Sequence, residues 1–257
     1  MISKSKAGFI VSLQKKKVRE EEKLYVIEGD KLVKEYIASK AKIKTIIAKP
    51  EFIQALPAGL KLPPEEIIPV SYDELKKISS LKTPHNALAV VQIPDISSGF
   101  GKYDEGICAA LDSVQDPGNL GTIIRAAAWF GIKNIYCSKN CVDVYNPKVI
   151  QASMGALIHV RVFYTDIRGF LIRAAEKNIR IFGATLDGES IYSAKTNSKG
   201  IIFLGNESRG ISKKLLPLIT HRISIPGPSV KLPGIDSLNV GMAASIIFYE
   251  FTRNKAE

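Results

Sequence analysis

The fold is decided by Leu111-Asp112-Ser113-Val114-Gln115-Asp116-Pro117-Gly118-Asn119-Leu120-Gly121-Thr122-Ile123-Ile124-Arg125, which runs on through Trp129 to Gly131. The apolar residues just before it read as a buried strand, and Asp116-Pro117-Gly118-Asn119 breaks that strand. Asn119 is the expected N-cap of a helix over 120–130 that stops at Gly131. Within this helix Ile123, Ala127 and Phe130 recur at i, i+4 and i+7 and face a core, while Arg125 lies on the other side above Gly121 and Thr122. A fixed cation therefore sits one turn inside a helix with a Gly-rich, polar opening. Two readings fit this stretch taken alone. One is an ordinary strand-to-helix turn with a surface arginine; the other is an anion site built on the unpaired N–H groups of a helix start.

Downstream the pattern repeats. Strands are expected at 106–111, 134–137, 159–163, 180–184, 201–204 and 222–225, with helices at 120–130, 147–156, 167–177, 213–219 and 238–251. Such alternation predicts an α/β fold with a parallel sheet covered on both faces and ligands at the carboxyl ends of the strands. Three polar, Gly-containing loops follow apolar strands, at 112–119, 205–210 and 226–236, and parallel strands would bring all three to one edge. The second loop, Gly205-Asn206-Glu207-Ser208-Arg209-Gly210, carries an amide, a carboxylate and a guanidinium, more chemistry than a turn requires. A solvent-exposed Glu207–Arg209 pair is the plain alternative. The third loop closes at Ser237-Leu238-Asn239-Val240, where Ser237 is the expected N-cap. Behind it Val240, Ala243, Ala244, Ile247, Phe248 and Phe251 form one helical stripe, with Gly241 and the alanines allowing close packing.

The N-terminal part reads as a small α/β unit without evident chemistry: strands at 24–27, 43–48, 67–70 and 87–93, a helix at 31–39, and a helix through 78 capped by Ser71. Residues 4–17 are basic and moderately apolar, and the run from Lys15 through Arg19 to Glu22 reads as a solvated helix face. A Pro-, Ser- and Gly-rich run up to Tyr103 marks a linker, which places domains at 1–95 and 104–257 with the linker at 96–103.

In the whole chain 36 Lys and Arg face 25 Asp and Glu over 257 residues, a net charge of +11 that suits a polyanionic partner. Aromatic residues make up only 8%, which argues against a base-stacking single-strand platform. Three cysteines, Cys108, Cys137 and Cys141, and an N-terminus without an apolar h-region point to the reducing cytoplasm. Cys137 and Cys141 lack a second pair or a nearby histidine, so they are expected to be packing residues, and no metal is expected. No apolar run is long enough to cross a bilayer, so no membrane partner is expected. No Gly-x-Gly-x-x-Gly follows a strand, and no Lys-Ser/Thr follows the glycines at 118–121, so neither a conventional dinucleotide fold nor a phosphate loop has support.

The three loops together resemble motifs 1, 2 and 3 of the SpoU (TrmH) family of RNA ribose 2′-O-methyltransferases, within the SPOUT superfamily. The resemblance rests on Asp116-Pro117-Gly118-Asn119-Leu120-Gly121 with Arg125, on Leu204-Gly205-Asn206-Glu207 with Gly210, and on Ile225-Pro226 with Ser237-Leu238-Asn239-Val240. Lys148-Val149-Ile150-Gln151-Ala152-Ser153-Met154-Gly155-Ala156 resembles a further recurrent segment. The N-terminal part is similar to an L30e-like substrate-binding domain through Val26-Ile27-Glu28-Gly29 and Thr83-Pro84 before Ala87, with His85-Asn86 standing where Gln-Gly is usual. A second departure lies in motif 3, where Gly227 to Asp236 is long, holds Pro228 and Pro233, and has Asp236 at a position that is commonly Glu.

The resemblance implies S-adenosylmethionine as methyl donor, a deep C-terminal trefoil knot, and a homodimer with a site completed across its interface. It implies ribosomal RNA as substrate, with transfer RNA, or RNA binding without catalysis, as the alternatives. It also implies that Asn119, Arg125, Glu207, Ser237 and Asn239 line the RNA side, and that Leu204, Gly205, Ile225 and Leu238 hold the donor. Arg125 is the family's usual activator of the ribose hydroxyl. A guanidinium is essentially always protonated, so two roles stay open: general base, or phosphate clamp with Glu207 or water taking the proton.

Overall fold

The computed structural model describes residues 2–39, 41–57, 63–96, 106–194, 199–227 and 237–253. The chain divides into two compact units, Met1–Asp95 with Tyr145–Ile158, and Ile96–Val144 with His159–Glu257.

The first unit is built on a four-stranded sheet in the order β1 (Leu24–Glu28), β4 (Ala87–Gln92), β2 (Ile43–Ala48), β3 (Glu66–Pro69). The β1–β4 and β4–β2 pairs are antiparallel and β2–β3 is parallel. Around it lie α1 (Lys4–Ser12), α2 (Lys16–Glu22), α3 (Asp30–Ala38), α4 (Pro50–Gln54) and α5 (Tyr72–Ile78). The two-residue strand period sends Ile46 and Ala89 into one core with Tyr25, Val33 and Tyr36, and Ile47, Leu88 and Val90 into another with Ile10, Leu13 and Leu75. The inner strand β4 is therefore apolar and buried from Ala87 to Val91, as its sequence predicts. Ser71 caps α5 with a complete capping box closed by Glu74. The moderately apolar stretch at 4–17 sends Ile10 and Leu13 into the core, and the expected solvated face at 15–22 is corrected at Arg19, which is buried at 3% exposure. Its Nη1 donates to the carbonyls of Leu13 at 2.8 Å and Gln14 at 2.7 Å, closing the corner between α1 and α2.

The second unit is a six-stranded, all-parallel sheet in the order β10 (His221–Ser224), β8 (Ile181–Ser190), β9 (Gly200–Leu204), β5 (Ile107–Leu111), β6 (Asn134–Ser138), β7 (Arg161–Thr165). The helices of this half of the sequence among the described residues are α6 (Pro117–Trp129), α7 (Pro147–Ser153), α8 (Ile167–Glu176) and α9 (Val240–Thr252). α8 sets Phe170, Leu171 and Ala174 into a core with Tyr136, Ile181 and Phe203, and α6 and α9 pack on each other.

Three expectations are corrected. α7 and its flanks belong to the first unit rather than the second: Ile150 sits in the core of Tyr25 and Ile46, and the Tyr145 and Tyr25 rings lie 4.6 Å apart. The expected helix at 213–219 is only a 3-10 turn, Leu216–Leu218, since Pro217 has no N–H to continue a helix. β8 runs past its expected end to Ser190 by skipping residues: Arg222 pairs with Gly183 and Ile223 with Glu189. The linker beyond Ile96 and the motif 3 loop at 228–236 lie outside the described residues.

Candidate active site

The site is assembled where β5 and β9 end side by side. Asp112 N–H donates to the Leu204 carbonyl at 2.9 Å, and the buried Asp112 carboxylate accepts Ser212 N–H at 2.9 Å, so the exits of both strands are tied together. Ser113 then turns with a left-handed φ of 59°, unusual for a residue with a Cβ. Two bonds hold it there: its N–H donates to Ser138 Oγ at 2.9 Å, and its carbonyl accepts Asn206 Nδ2 at 2.8 Å.

Asp116, not Asn119, caps α6. Its Oδ1 accepts Asn119 N–H at 2.8 Å, and Pro117 fills the first helical position, where a missing N–H costs nothing. The helix thus begins earlier than expected, and the Asn119 side chain is left free to face the other loops. The same correction applies to α9, which is capped by Asn239 rather than Ser237. Asn239 Oδ1 accepts Gly241 N–H at 2.9 Å and Met242 N–H at 3.3 Å.

That cap fixes the polarity of everything upstream. With its oxygen committed to the helix, Asn239 donates through Nδ2 to Asn119 Oδ1 at 2.7 Å. Asn119 must then donate through its own Nδ2, and does so to Glu207 Oε1 at 3.0 Å. The same oxygen accepts Asp116 N–H at 3.2 Å, and Glu207 Oε2 accepts Asn206 Nδ2 at 3.1 Å. A directed chain therefore runs from motif 3 through motif 1 to the carboxylate of motif 2. The first two expected loops meet at one edge and the start of α9 joins them through Asn239, while the third loop lies outside the described residues from 228 to 236.

Motif 2 is a tight loop in which Asn206 and Gly210 exchange both backbone hydrogen bonds at 2.9 Å. A Cβ on Gly205 would stand 2.2 Å from the Gly210 carbonyl carbon and the Ile211 nitrogen, so only glycine fits there. Of the other expected residues, Leu204 is buried, Ile225 is half-buried just beyond β10, Ser237 is exposed, and Leu238 is 49% exposed at the entrance to α9. Arg125 is exposed on α6 and makes no hydrogen bond or ion pair among the described residues. Neither it nor Ser237 joins the Asn119–Glu207–Asn239 chain. Asp112, Ser113 and Asp116 are additions to the expected site residues, of which only Asp116-Pro117 carried a usable signal, a capping residue before a helix-opening proline; Asn206, whose amide the sequence shows within the second loop, joins the site as well.

Beneath the first loop lies a thiol pair. Cys141 Sγ donates to the Leu111 carbonyl at 3.5 Å and lies 3.6 Å from Ser138 Oγ. Hydrogen bonding from Cys137 above all, then from Ser138 and the N–H groups of Val114 and Ser113, lowers the Cys141 thiol to about 7 in spite of burial. Its hydrogen bond to Cys141, together with burial, pushes Cys137 up, and burial alone raises Cys108. The described residues hold no group of three or more His, Cys, Asp or Glu placed to bind a metal.

The second unit is a parallel α/β domain that brings residues of motifs 1, 2 and 3 together at the carboxyl edge of its sheet, the arrangement that the resemblance implies. The chain belongs to the SpoU rRNA methylase family, whose model matches residues 106–249, and residues 5–89 match the MRM3-like substrate-binding domain. It is 27% identical to the 23S rRNA (guanosine(2553)-2′-O)-methyltransferase RlmP of Bacillus subtilis over 92% of each chain. A solved TrmH-family protein from Porphyromonas gingivalis is 34% identical, covers 99% of both chains and superposes with a TM-score of 0.87. The SpoU methyltransferase AviRb of Streptomyces viridochromogenes, solved in complex with AdoMet, shares the fold at TM-score 0.83 and 21% identity over 98% of both chains.

Proposed function

We propose that this enzyme transfers the methyl group of S-adenosylmethionine to a ribose 2′-hydroxyl of ribosomal RNA. The observation that carries the reading is the Asn119–Glu207–Asn239 chain, which joins all three family motifs at one strand edge. The ribosomal substrate follows the activity of the Bacillus relative and the MRM3-like first unit, to which we assign RNA binding. The domain scheme of 1–95, linker 96–103 and 104–257 is kept for the chain's two tasks, with 145–158 lent to the first unit.

The residues at the strand ends suit the donor. Gly205 lets the motif 2 loop fold tightly at the end of β9, while half-buried Ile225 and half-exposed Leu238 offer apolar surface to an adenine. S-adenosylmethionine supplies a methyl group already activated by its sulfonium, so the protein has only to align the hydroxyl and manage one proton. Glu207 receives three N–H donors across its two oxygens, which makes it the anchor that orients Asn119 and the opening of α6. Arg125, exposed and unpaired among the described residues, is free to grip an RNA phosphate with its planar fork and to stabilise negative charge developing on the ribose oxygen. In this reading Arg125 is the clamp, and water takes the hydroxyl proton. Ser237 stands exposed beside the path of the RNA.

The enzyme acts as a homodimer through α6 and α9. These helices pack on each other and leave Trp129 85% exposed, Met242 58% exposed and Tyr249 more than half exposed. An apolar strip of this size on a single chain calls for a cover, and a second copy offers the same strip in return. The C-terminal knot is part of the same proposal and rests on family membership. A cytoplasmic location accords with three free cysteines, and no helix among the described residues is long and apolar enough to cross a membrane.

Incubating the protein with labelled S-adenosylmethionine and either ribosomal or transfer RNA, then mapping the modified nucleotide, tests the activity. Ribosomal RNA should carry a 2′-O-methyl group. Label confined to transfer RNA would replace the substrate, and an absence of both label and donor binding would overturn the function. Sedimentation should give a dimer that Trp129→Asp converts to monomer.

A further inference from the structure

We propose that Asn206 is a positioning residue for methyl transfer: its side-chain amide holds the Glu207 carboxylate in the orientation from which it grips Asn119. The inference rests on the reading of this site as a methyl-transfer centre.

Asn206 has no hydrogen-bonding capacity to spare. Its Oδ1 accepts the N–H groups of Ser208 and Arg209, both at 3.1 Å, while its Nδ2 donates to the Ser113 carbonyl at 2.8 Å and to Glu207 Oε2 at 3.1 Å. The two ends of the amide do separable things. The oxygen closes the motif 2 loop on itself. The nitrogen reaches out of that loop, pinning the left-handed turn at Ser113 and fixing one carboxylate oxygen of Glu207. With Oε2 held, Oε1 faces Asn119 Nδ2 and Asp116 N–H. Neighbouring side chains on an extended strand point to opposite faces, yet Asn206 and Glu207 both address the first loop, because the Asn206–Gly210 turn redirects the chain between them. The other carboxylate at this corner, Asp116, has its Oδ1 engaged with Asn119 N–H. The Nδ2 of Asn206 is the only side-chain donor on Oε2 among the described residues.

Aspartate separates the two ends. Asn206→Asp keeps the shape and an oxygen for the Ser208 and Arg209 N–H groups, so the loop still closes. It replaces the nitrogen with an oxygen that faces the Ser113 carbonyl and the Glu207 carboxylate, turning two attractive contacts into repulsions. Glu207 should swing away, freeing Asn119 and loosening its partner Asn239.

The test compares the full-length wild type and Asn206→Asp. At about pH 8 the variant should lose on the order of a hundredfold in kcat, the scale of losing one preorganised donor. Its Kd for S-adenosylmethionine should stay within about twofold, because the loop remains closed. Lowering the pH toward about 6 should recover much of the loss, since a proton shared by the facing carboxylates restores a donor between them. A merely structural role would move donor binding together with kcat and leave the pH profile parallel to that of the wild type; that result overturns the proposal. Amide NMR gives a readout independent of turnover: the Asn119 side-chain signals should shift in Asn206→Asp, while the Ser208 and Arg209 backbone signals stay. Unmoved Asn119 signals overturn it equally. If the wild type itself methylates no RNA, the functional reading fails, and the NMR comparison still decides whether Asn206 positions Glu207.

Discussion

The two units use their polar side chains in opposite ways. In the first, they are consumed where they stand. Glu28 takes the Ser80 N–H at 2.9 Å and the Ser80 hydroxyl at 2.6 Å, Asp30 takes both nitrogens of Asn86 at 2.9 and 2.7 Å, and Arg19 is buried against two carbonyls. Each closes a corner within its own unit. In the second unit, amides and a carboxylate from distant parts of the chain are spent on one another at a strand edge, and a guanidinium stands exposed on the adjoining helix without a partner among the described residues. A buried arginine that satisfies carbonyls serves the fold; an exposed one beside an organised polar edge is available to a ligand. The contrast makes Arg19 and Arg125 a natural pair for experiment.

The largest effect is expected at Arg125. Arg125→Ala should reduce methyl transfer by about three orders of magnitude, and Arg125→Lys should fail nearly as badly, because an ammonium lacks the bidentate fork. The melting temperature should not move, since surface changes without partners stay within about 0.5 kcal/mol. Single-turnover assays alongside calorimetry check both halves. Turnover by Arg125→Lys near the wild-type rate would return the residue to an ordinary surface cation. Next comes Glu207→Ala, which strips the anchor from Asn119, Asp116 and Asn206 together. It should cost about a hundredfold in kcat and about 1–3 kcal/mol of stability, because donors aimed at a lost carboxylate are left unpaired.

The sequence announces Arg125 better than it announces the network. A cation on the polar face of an otherwise apolar helix is visible in a 3.6-residue period, and so are the six parallel strands. The pairing of Asn119 with Glu207 spans 88 residues and that of Asn239 with Asn119 spans 120, so no local pattern encodes it. The helix starts were misplaced for a related reason. Asn119 and Ser237 are good capping residues, but Pro117 prefers the first helical position and Asn239 reaches two N–H groups, and those local fits decide the boundary. α7 shows another limit. Its periodicity reveals an apolar face, yet nothing in the period says which core Ile150 will enter, and it enters that of the other unit.

Arg19 sharpens the contrast from the structural side. Arg19→Met keeps the length of the stem and removes the donors to Leu13 and Gln14. It should cost about 2–3 kcal/mol, the penalty for leaving buried carbonyls unsatisfied, and be read as a lower urea midpoint. The kcat of the remaining folded protein should match the wild type. A catalytic defect without a stability loss would erase the distinction between the two arginines.

The smallest effect probes the ground on which the second unit's network stands. Cys141 lies under the loop at Ser113 and Val114, and hydrogen bonds to its sulfur bring the thiol down to about 7, while burial holds Cys108 well above its ordinary range. The thiolate is the nucleophile, so alkylation by iodoacetamide in the folded protein should fall on Cys141 before Cys108, although both are buried. Its rate should rise as the pH passes upward through about 7, because the lowered thiol loses its proton there. Peptide mass mapping of each cysteine across that range measures this directly. The added group would push on Ser113, whose carbonyl is held by Asn206, so methyl transfer should fall by about tenfold as Cys141 is filled, a modest loss suited to an indirect contact. Alkylation of Cys108 first, or a Cys141 rate that stays flat through neutral pH, would show that the hydrogen bonds at this sulfur do not set its reactivity. Complete modification with full activity would show instead that the loop at Ser113 is held from the Asn206 side alone.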